Sequence, residues 1–195
     1  KIIKILNLNK SNIIDTAKAY GRSEVMLGKL INKKFKIITK IKSLRKYKKN
    51  QLEKLIFNQV LDSIEKLKIK NIYAVLIHDT KDLKSINSNI IYQIILNLKK
   101  NGLIKKIGFS CNSLNELIYI LNKYKFDIIQ FPFNVFDQRL NNTKILNFLK
   151  KKKIEIHIRS IFLQGLLTFN VHKRPKKFIR WKKNFDKWDK FLASN

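Results

Sequence analysis

A single cysteine, Cys111, is all the chain has, which excludes any internal disulfide and fits a reducing, cytoplasmic setting. With only two prolines and five glycines, no linker divides the sequence, and residues 1–195 read as one domain with one sizeable core. No apolar run reaches the ~18 residues that cross a bilayer, so a transmembrane segment is not expected. The opening "KIIKILNLNK" is too short and too interrupted by polar residues for a secretory signal. No GxGxxG nucleotide loop, no RNA- or DNA-binding signature and no metal-ligand set is read from the sequence.

Acidic residues are the other shortage. Thirteen stand against 43 Lys and Arg, a formal net charge of +30. Clustered bases of that number would mark a nucleic-acid or anionic-membrane binder, because they neutralise phosphates. Here the bases sit on nearly every predicted helix and gather in no single patch. Lys, Asn and Ile, all with A/T-rich codons, are over-used throughout, so compositional drift explains the charge better. Specific nucleic-acid and membrane partners are therefore not expected.

What the chain does have is an apolar pattern that switches repeatedly between strand and helix periods. "NIIDTA", "FKIITKI", "NIYAVLIHD", "IKKIGFS", "FDIIQFPFN" and "IEIHIRSIF" are short, rich in Ile, Val and Phe, and bounded by polar residues, as buried parallel strands should be. Longer amphipathic stretches separate them. One places Leu52, Leu55, Ile56, Val60, Ile64 and Leu67 on one stripe. A second ends at Gly102, a C′ glycine by position. A third opens with Ser113 and Glu116 in capping-box spacing. About six βα units follow one another, predicting an α/β barrel or a doubly wound sheet. In the basic tail, Phe178, Trp181, Phe185, Trp188 and Leu192 form a helical apolar stripe, which favours packing on the core over lying on a membrane surface.

Polar residues able to do chemistry fall at the carboxyl ends of these strands, where parallel α/β folds place their sites. Asp15 ends the first, with Tyr20 in the loop beyond; Lys40 ends the second and His78 the third. Ser110 ends the fourth, Gln130 lies in the fifth, and Arg159 and Ser160 end the sixth. Singly, each has a plain reading: a turn acid, a packed aromatic, one lysine among many, a core histidine. Jointly they make a proton-donor assembly. An ammonium beside a phenol lowers the phenol's pKa, a carboxylate holds the ammonium in place, and a histidine orients the carbonyl oxygen that receives the proton.

The sequence resembles the aldo/keto reductase family. "DTAKAYGRSEVMLGKLI" is similar to the family's N-terminal signature through Asp15, Thr16, Ala17, Tyr20, Gly21, Ser23, Glu24, Leu27 and Gly28. "IITKI" and "LIHD" resemble the strands bearing its active-site lysine and histidine. "LKKNGLIKKIGFS", "IIQFPFNVFDQRL" and "RSIFLQGLL" match later segments in the family's order. The resemblance implies a (β/α)8 TIM-type barrel and reduction of an aldehyde or ketone, such as a sugar derivative, by NADPH, preferred over NAD by family habit. It implies Tyr20 as general acid, Asp15 and Lys40 as the pair tuning it, and His78 as substrate-orienting. The cofactor would lie against Asp15, Ser110, Cys111, Gln130, Arg159, Ser160, Phe162 and Gln164, with the backbone from Ser160 to Gln164 along the pyrophosphate.

Three departures from the pattern stand out. Cys111 replaces the asparagine that usually follows the serine of "GFS", with Asn112 next. Arg159 replaces the usual stacking tyrosine, and its planar guanidinium could stack on the nicotinamide instead. The first readable strand resembles the family's second and the last its seventh, so the expected barrel is incomplete, with two open parallel edges prone to self-association. A piece of a longer gene product is the favoured explanation. The alternative is a partial barrel, inactive or paired with a second copy, that serves as a binding or interaction module.

Overall fold

Runs of Ile, Val and Phe that are apolar at consecutive positions suit strands covered on both faces, and the strands fall on those runs. The computed structural model describes residues 2–31, 34–169 and 173–194. Its strands are β1 (Ile13–Asp15), β2 (Lys36–Ile41), β3 (Ile72–Ile77), β4 (Ile104–Ser110), β5 (Ile128–Pro132) and β6 (Glu155–Arg159). They form one parallel sheet in the order β1-β2-β3-β4-β5-β6, an incomplete (β/α) barrel with helices between successive strands. Among the described residues no strand pairs with the outer edge of β1 or of β6.

The helices are α1 (Ile2–Leu8), α2 (Ser23–Leu30), α3 (Leu52–Leu67), α4 (Ser88–Lys100), α5 (Leu114–Lys123), α6 (Thr143–Lys151) and α7 (Lys182–Ala193). The stripe on α3 is buried at Leu52, Ile56, Val60 and Leu67. The first three join Val75, Ile77, Phe109 and Phe131 of the sheet in the main core. Each such side chain stabilises the fold by about 1.5–3 kcal/mol. The opposite face of the sheet carries a smaller cluster of Ile38, Ala74, Leu76 and Ile128. α2 lies close on α3 because residue 28 has no side chain: a Cβ on Gly28 would stand 2.0 Å from the Lys66 carbonyl oxygen.

The local signals fare differently. Gly102 sits just past the C-cap of α4 with φ of 75°, as its position predicts. The capping box does not form: the Ser113 side chain makes no cap hydrogen bond. Glu116 is captured instead by the loop after β3, accepting from Thr80 at 3.1 Å and Lys84 at 2.5 Å. In the tail, Phe185 is buried with Leu166 and Leu167, and Phe178 and Trp188 pack on them. Trp181 and Leu192 remain 40% and 52% exposed, so the stripe is only partly covered. The last tail residue, Asn195, lies outside the described residues. Among the described residues no helix is long and apolar enough to cross a membrane.

Candidate active site

Parallel strands of one sheet end on one side, so the residues at their carboxyl ends share a mouth. Asp15 is the last residue of β1 and Lys40 lies in β2 opposite Leu76 of β3. Lys40 is 1% exposed. Its Nζ donates to Asp15 Oδ1 and Oδ2 at 2.7 and 2.6 Å and to the Thr16 carbonyl at 2.9 Å. All three donors of the ammonium are thereby committed. Burial lowers the Lys40 pKa, and the Asp15 carboxylate opposes that shift without cancelling it.

Tyr20 is carried by a tight turn, with its N–H donating to the Ala17 carbonyl and its own carbonyl accepting from Ser23. The phenol is half exposed. Its ring lies 5.3 Å from Lys40 Nζ and meets the His78 ring edge-on at 6.2 Å. The Tyr20 hydroxyl makes no hydrogen bond among the described residues. Its pKa runs opposite to the sequence expectation: burial raises it, Asp15 adds to the rise, and only Arg159 works against it. The ammonium that should lower it is already neutralised by Asp15. Burial, with Lys40 and Arg159 nearby, lowers the His78 pKa, so the imidazole is neutral at pH 7.

Around the mouth the next strands continue the arc. Ser110 and Gln130 are register neighbours on β4 and β5, 6% and 2% exposed. Gln130 Oε1 is buried without a hydrogen-bond partner. Cys111 is buried and its N–H donates to the Gln130 carbonyl. Burial, with Glu116 adding, pushes its thiol up to about 12, so it stays protonated. Arg159 ends β6 and reaches across β5: Nη2 donates to Asn112 Oδ1 and, at 3.4 Å, to the Cys111 carbonyl, and Nη1 lies 3.2 Å from Ser160 Oγ. The residue in the usual asparagine's place is thus a thiol, and the adjacent Asn112 is spent on holding the guanidinium.

Beyond β6 the backbone is strained, with positive φ at Ser160 (59°), Leu163 (48°), Gln164 (57°) and Gly165 (90°). Such conformations in non-glycine residues cost of order 1–3 kcal/mol each and gather at functional sites. The N–H groups of Ile161, Phe162 and Gln164 have no acceptor among the described residues. Ser160 and Gln164 line a cavity of about 490 Å³ with Phe136, Phe178 and Phe185. The Phe162 side chain is not part of it and faces a separate apolar cavity beside Ile158 and Trp188. Asn134 braces this loop, its Nδ2 donating to the Ser160 carbonyl at 3.2 Å.

The fold therefore brings Asp15, Tyr20, Lys40 and His78 together and arrays Ser110, Cys111, Gln130 and Arg159 beside them. Lys18 and Glu24 behind the Tyr20 turn were assigned no role from sequence. Lys18 is one lysine among very many, and Glu24 stands out only as a match to the family's N-terminal signature and as an acid in a mostly apolar helix. A parallel sheet in the sequential order β1 to β6, with a helix between each successive pair of strands, defines the class, that of incomplete (β/α) barrels.

The family follows from direct comparison. The model of the aldo/keto reductase family matches residues 7–195, and the chain belongs to that family. Among solved structures it is similar to a glycerol dehydrogenase from Gluconobacter oxydans, with 25% identity over 95% of this chain and 63% of that one, at a TM-score of 0.72. It is also similar to an aldo-keto reductase from Bacillus halodurans in its holo form, with 20% identity over 85% of this chain and 56% of that one, at a TM-score of 0.68. A Bombyx mori aldo-keto reductase in complex with NADP shares 17% identity over 76% of this chain and 52% of that one, at a TM-score of 0.58. The chain spans less than two thirds of the length of each of these structures. No curated protein sequence matches it.

Proposed function

We propose that this chain carries the proton-donor half of an NADPH-dependent carbonyl reductase acting on a small aldehyde or ketone, such as a sugar derivative. The observation that carries the reading is the Tyr20 phenol, without a hydrogen bond among the described residues, over a Lys40 ammonium locked by Asp15 and beside the His78 ring. With its pKa raised, the phenol holds its proton at neutral pH and has it to give. Neutral His78 orients the carbonyl oxygen by a hydrogen bond. Lys40 and Asp15, joined as an ion pair, form the floor under the phenol and set its surroundings.

The residues present fit a nicotinamide cofactor. Gln130 Oε1, buried and unpartnered, is an acceptor awaiting an amide N–H, and the Ser110 hydroxyl lies alongside on the neighbouring strand. These two would hold the carboxamide. The backbone from Ser160 to Gln164, through the N–H groups of Ile161, Phe162 and Gln164, would take the pyrophosphate, with Arg159 against the ring and Asp15 and Cys111 at its edge. NADPH, when bound, supplies the hydride. The preference for NADPH over NADH, and a cytoplasmic location consistent with the one buried thiol, belong to the same proposal.

Replacing Tyr20 with Phe tests the assignment: carbonyl reduction should fall about 10²–10⁴-fold while NADPH affinity is kept. Unchanged turnover removes Tyr20 as the acid. The open edges of β1 and β6 favour a second reading, a partial barrel that self-associates or serves as a binding module. Fluorescence titration separates the two: NADPH binding in the micromolar range supports the reductase, and none at millimolar cofactor supports the module.

A further inference from the structure

In a chain with so few acids, a lysine held by two of them is informative, and behind the Tyr20 turn the buried Glu24 and the part-exposed Asp62 converge on Lys18. Glu24, at the start of α2, is 4% exposed. Its Oε1 accepts from Thr39 Oγ1 at 2.7 Å and its Oε2 lies 3.6 Å from Lys18 Nζ. The Lys18 side chain is 9% exposed, and its ammonium also donates to Asp62 Oδ2 and, at 3.3 Å, to Ser63 Oγ of α3. The Lys18 backbone N–H donates to the Lys40 carbonyl at 3.2 Å. The Lys18 ammonium thus ties the turn to Glu24 of α2 and to α3, while its backbone N–H ties the turn to the strand bearing Lys40.

Beneath the turn lies a cavity of about 410 Å³, walled on one side by Lys18, Ala19, Gly21 and Glu24 and on the other by Tyr47 and Gln59. Tyr20, Lys40 and His78 are not among its lining residues. The turn therefore has room to sink away from the mouth, and the charge cluster is what opposes that movement. Where close packing does not fill the space beside the turn, the ion pairs of Lys18 hold it in place.

We propose that Lys18 is a positioning residue that holds the 16–23 turn above this cavity and so fixes the Tyr20 phenol beside Lys40 and His78. The effect on turnover rests on the reductase reading; the effect on geometry does not. An ångström of displacement at a proton donor costs up to about 10²-fold in rate.

The test replaces Lys18 with Met and with Arg in the full chain and reads two quantities. The first is the NMR cross-relaxation between the Tyr20 and His78 rings. The second is kcat and KM for a small aromatic aldehyde at saturating NADPH. Lys18→Met should abolish the ring–ring signal and lower kcat about tenfold or more, with KM within about twofold. Lys18→Arg, which keeps the charge, should restore both. A Lys18→Met protein that retains the ring–ring signal overturns the proposal. Should Lys18→Met fail to fold, Asp62→Asn takes its place: weakening of the signal supports the brace and an unchanged signal overturns it. A wild type without turnover, or a Tyr20→Phe variant as active as wild type, would defeat the reductase reading and leave the NMR signal to decide on Lys18.

Discussion

The sheet carries two four-residue sets, one at each end, each made of an acid, a lysine, a tyrosine and a histidine. At the carboxyl mouth stand Asp15, Lys40, Tyr20 and His78. At the amino end stand Glu155, Lys106, Tyr73 and His157. In the latter set every group is paired: Glu155 accepts from Lys106, from Tyr73 at 2.9 Å and pairs with His157 at 2.6 Å, while Lys106 also donates to the Tyr73 hydroxyl at 2.8 Å. At the mouth only the lysine and the acid are joined. The phenol and the imidazole meet as rings, and their polar atoms make no hydrogen bond among the described residues. The kinds of group are alike in both places; what separates the two sets is how many of their polar atoms are already paired within the protein.

The two tyrosines are the sharpest way to break this comparison. Tyr20→Phe should cost about 10²–10⁴-fold in turnover and little stability. Tyr73→Phe should leave turnover within about twofold and lower the unfolding free energy by about 1 kcal/mol, measured by urea titration. Equal kinetic losses would show that both ends serve the reaction.

Acid separates the two ends next. Burial works to raise the Glu155 pKa, but hydrogen bonds from Lys106, His157 and Tyr73 hold it down to about 2. A depressed carboxylate stabilises the fold above its unfolded pKa, and that contribution is lost as pH falls from about 4.5 through about 2. The wild type should therefore lose about 2 kcal/mol more than Glu155→Gln across that window in denaturant midpoints. An identical acid profile for the two proteins would place the clasp's stabilisation elsewhere.

The smallest expected effect has two opposite signs. Gln130→Met removes a buried acceptor with no partner, so the protein should gain about 1 kcal/mol in unfolding free energy. NADPH affinity should fall about tenfold, read by fluorescence titration. Gain in both, or loss in both, would mean that Gln130 is not the carboxamide's partner.

Much of this was legible before any coordinates. The strands could be read because short stretches rich in Ile, Val and Phe are bounded by polar residues, and most mouth residues because they fall at the carboxyl ends of those stretches. The amino-end set was not legible. Tyr73, Lys106 and Glu155 lie at strand beginnings, where polar residues are ordinary, and only the curl of the sheet brings β3, β4 and β6 within reach of one carboxylate. The direction of the Tyr20 shift was misread for a related reason: spacing shows that a lysine is near a phenol, not that its three protons are already given away. At Ser113 the capping pattern was present, yet Lys84 and Thr80 compete for Glu116 with a cation and a hydroxyl from a neighbouring loop.

Strand β1 is the shortest stave, joined to the sheet through three residues, Ile13, Ile14 and Asp15, against β2 alone. An edge so slight should be the first to peel in local opening. Its last residue, however, is the counter-ion of an ammonium sealed in the interior, and lifting it away would strand that charge at a cost of several kcal/mol. The same ion pair that readies the mouth therefore works as a latch on its weakest seam.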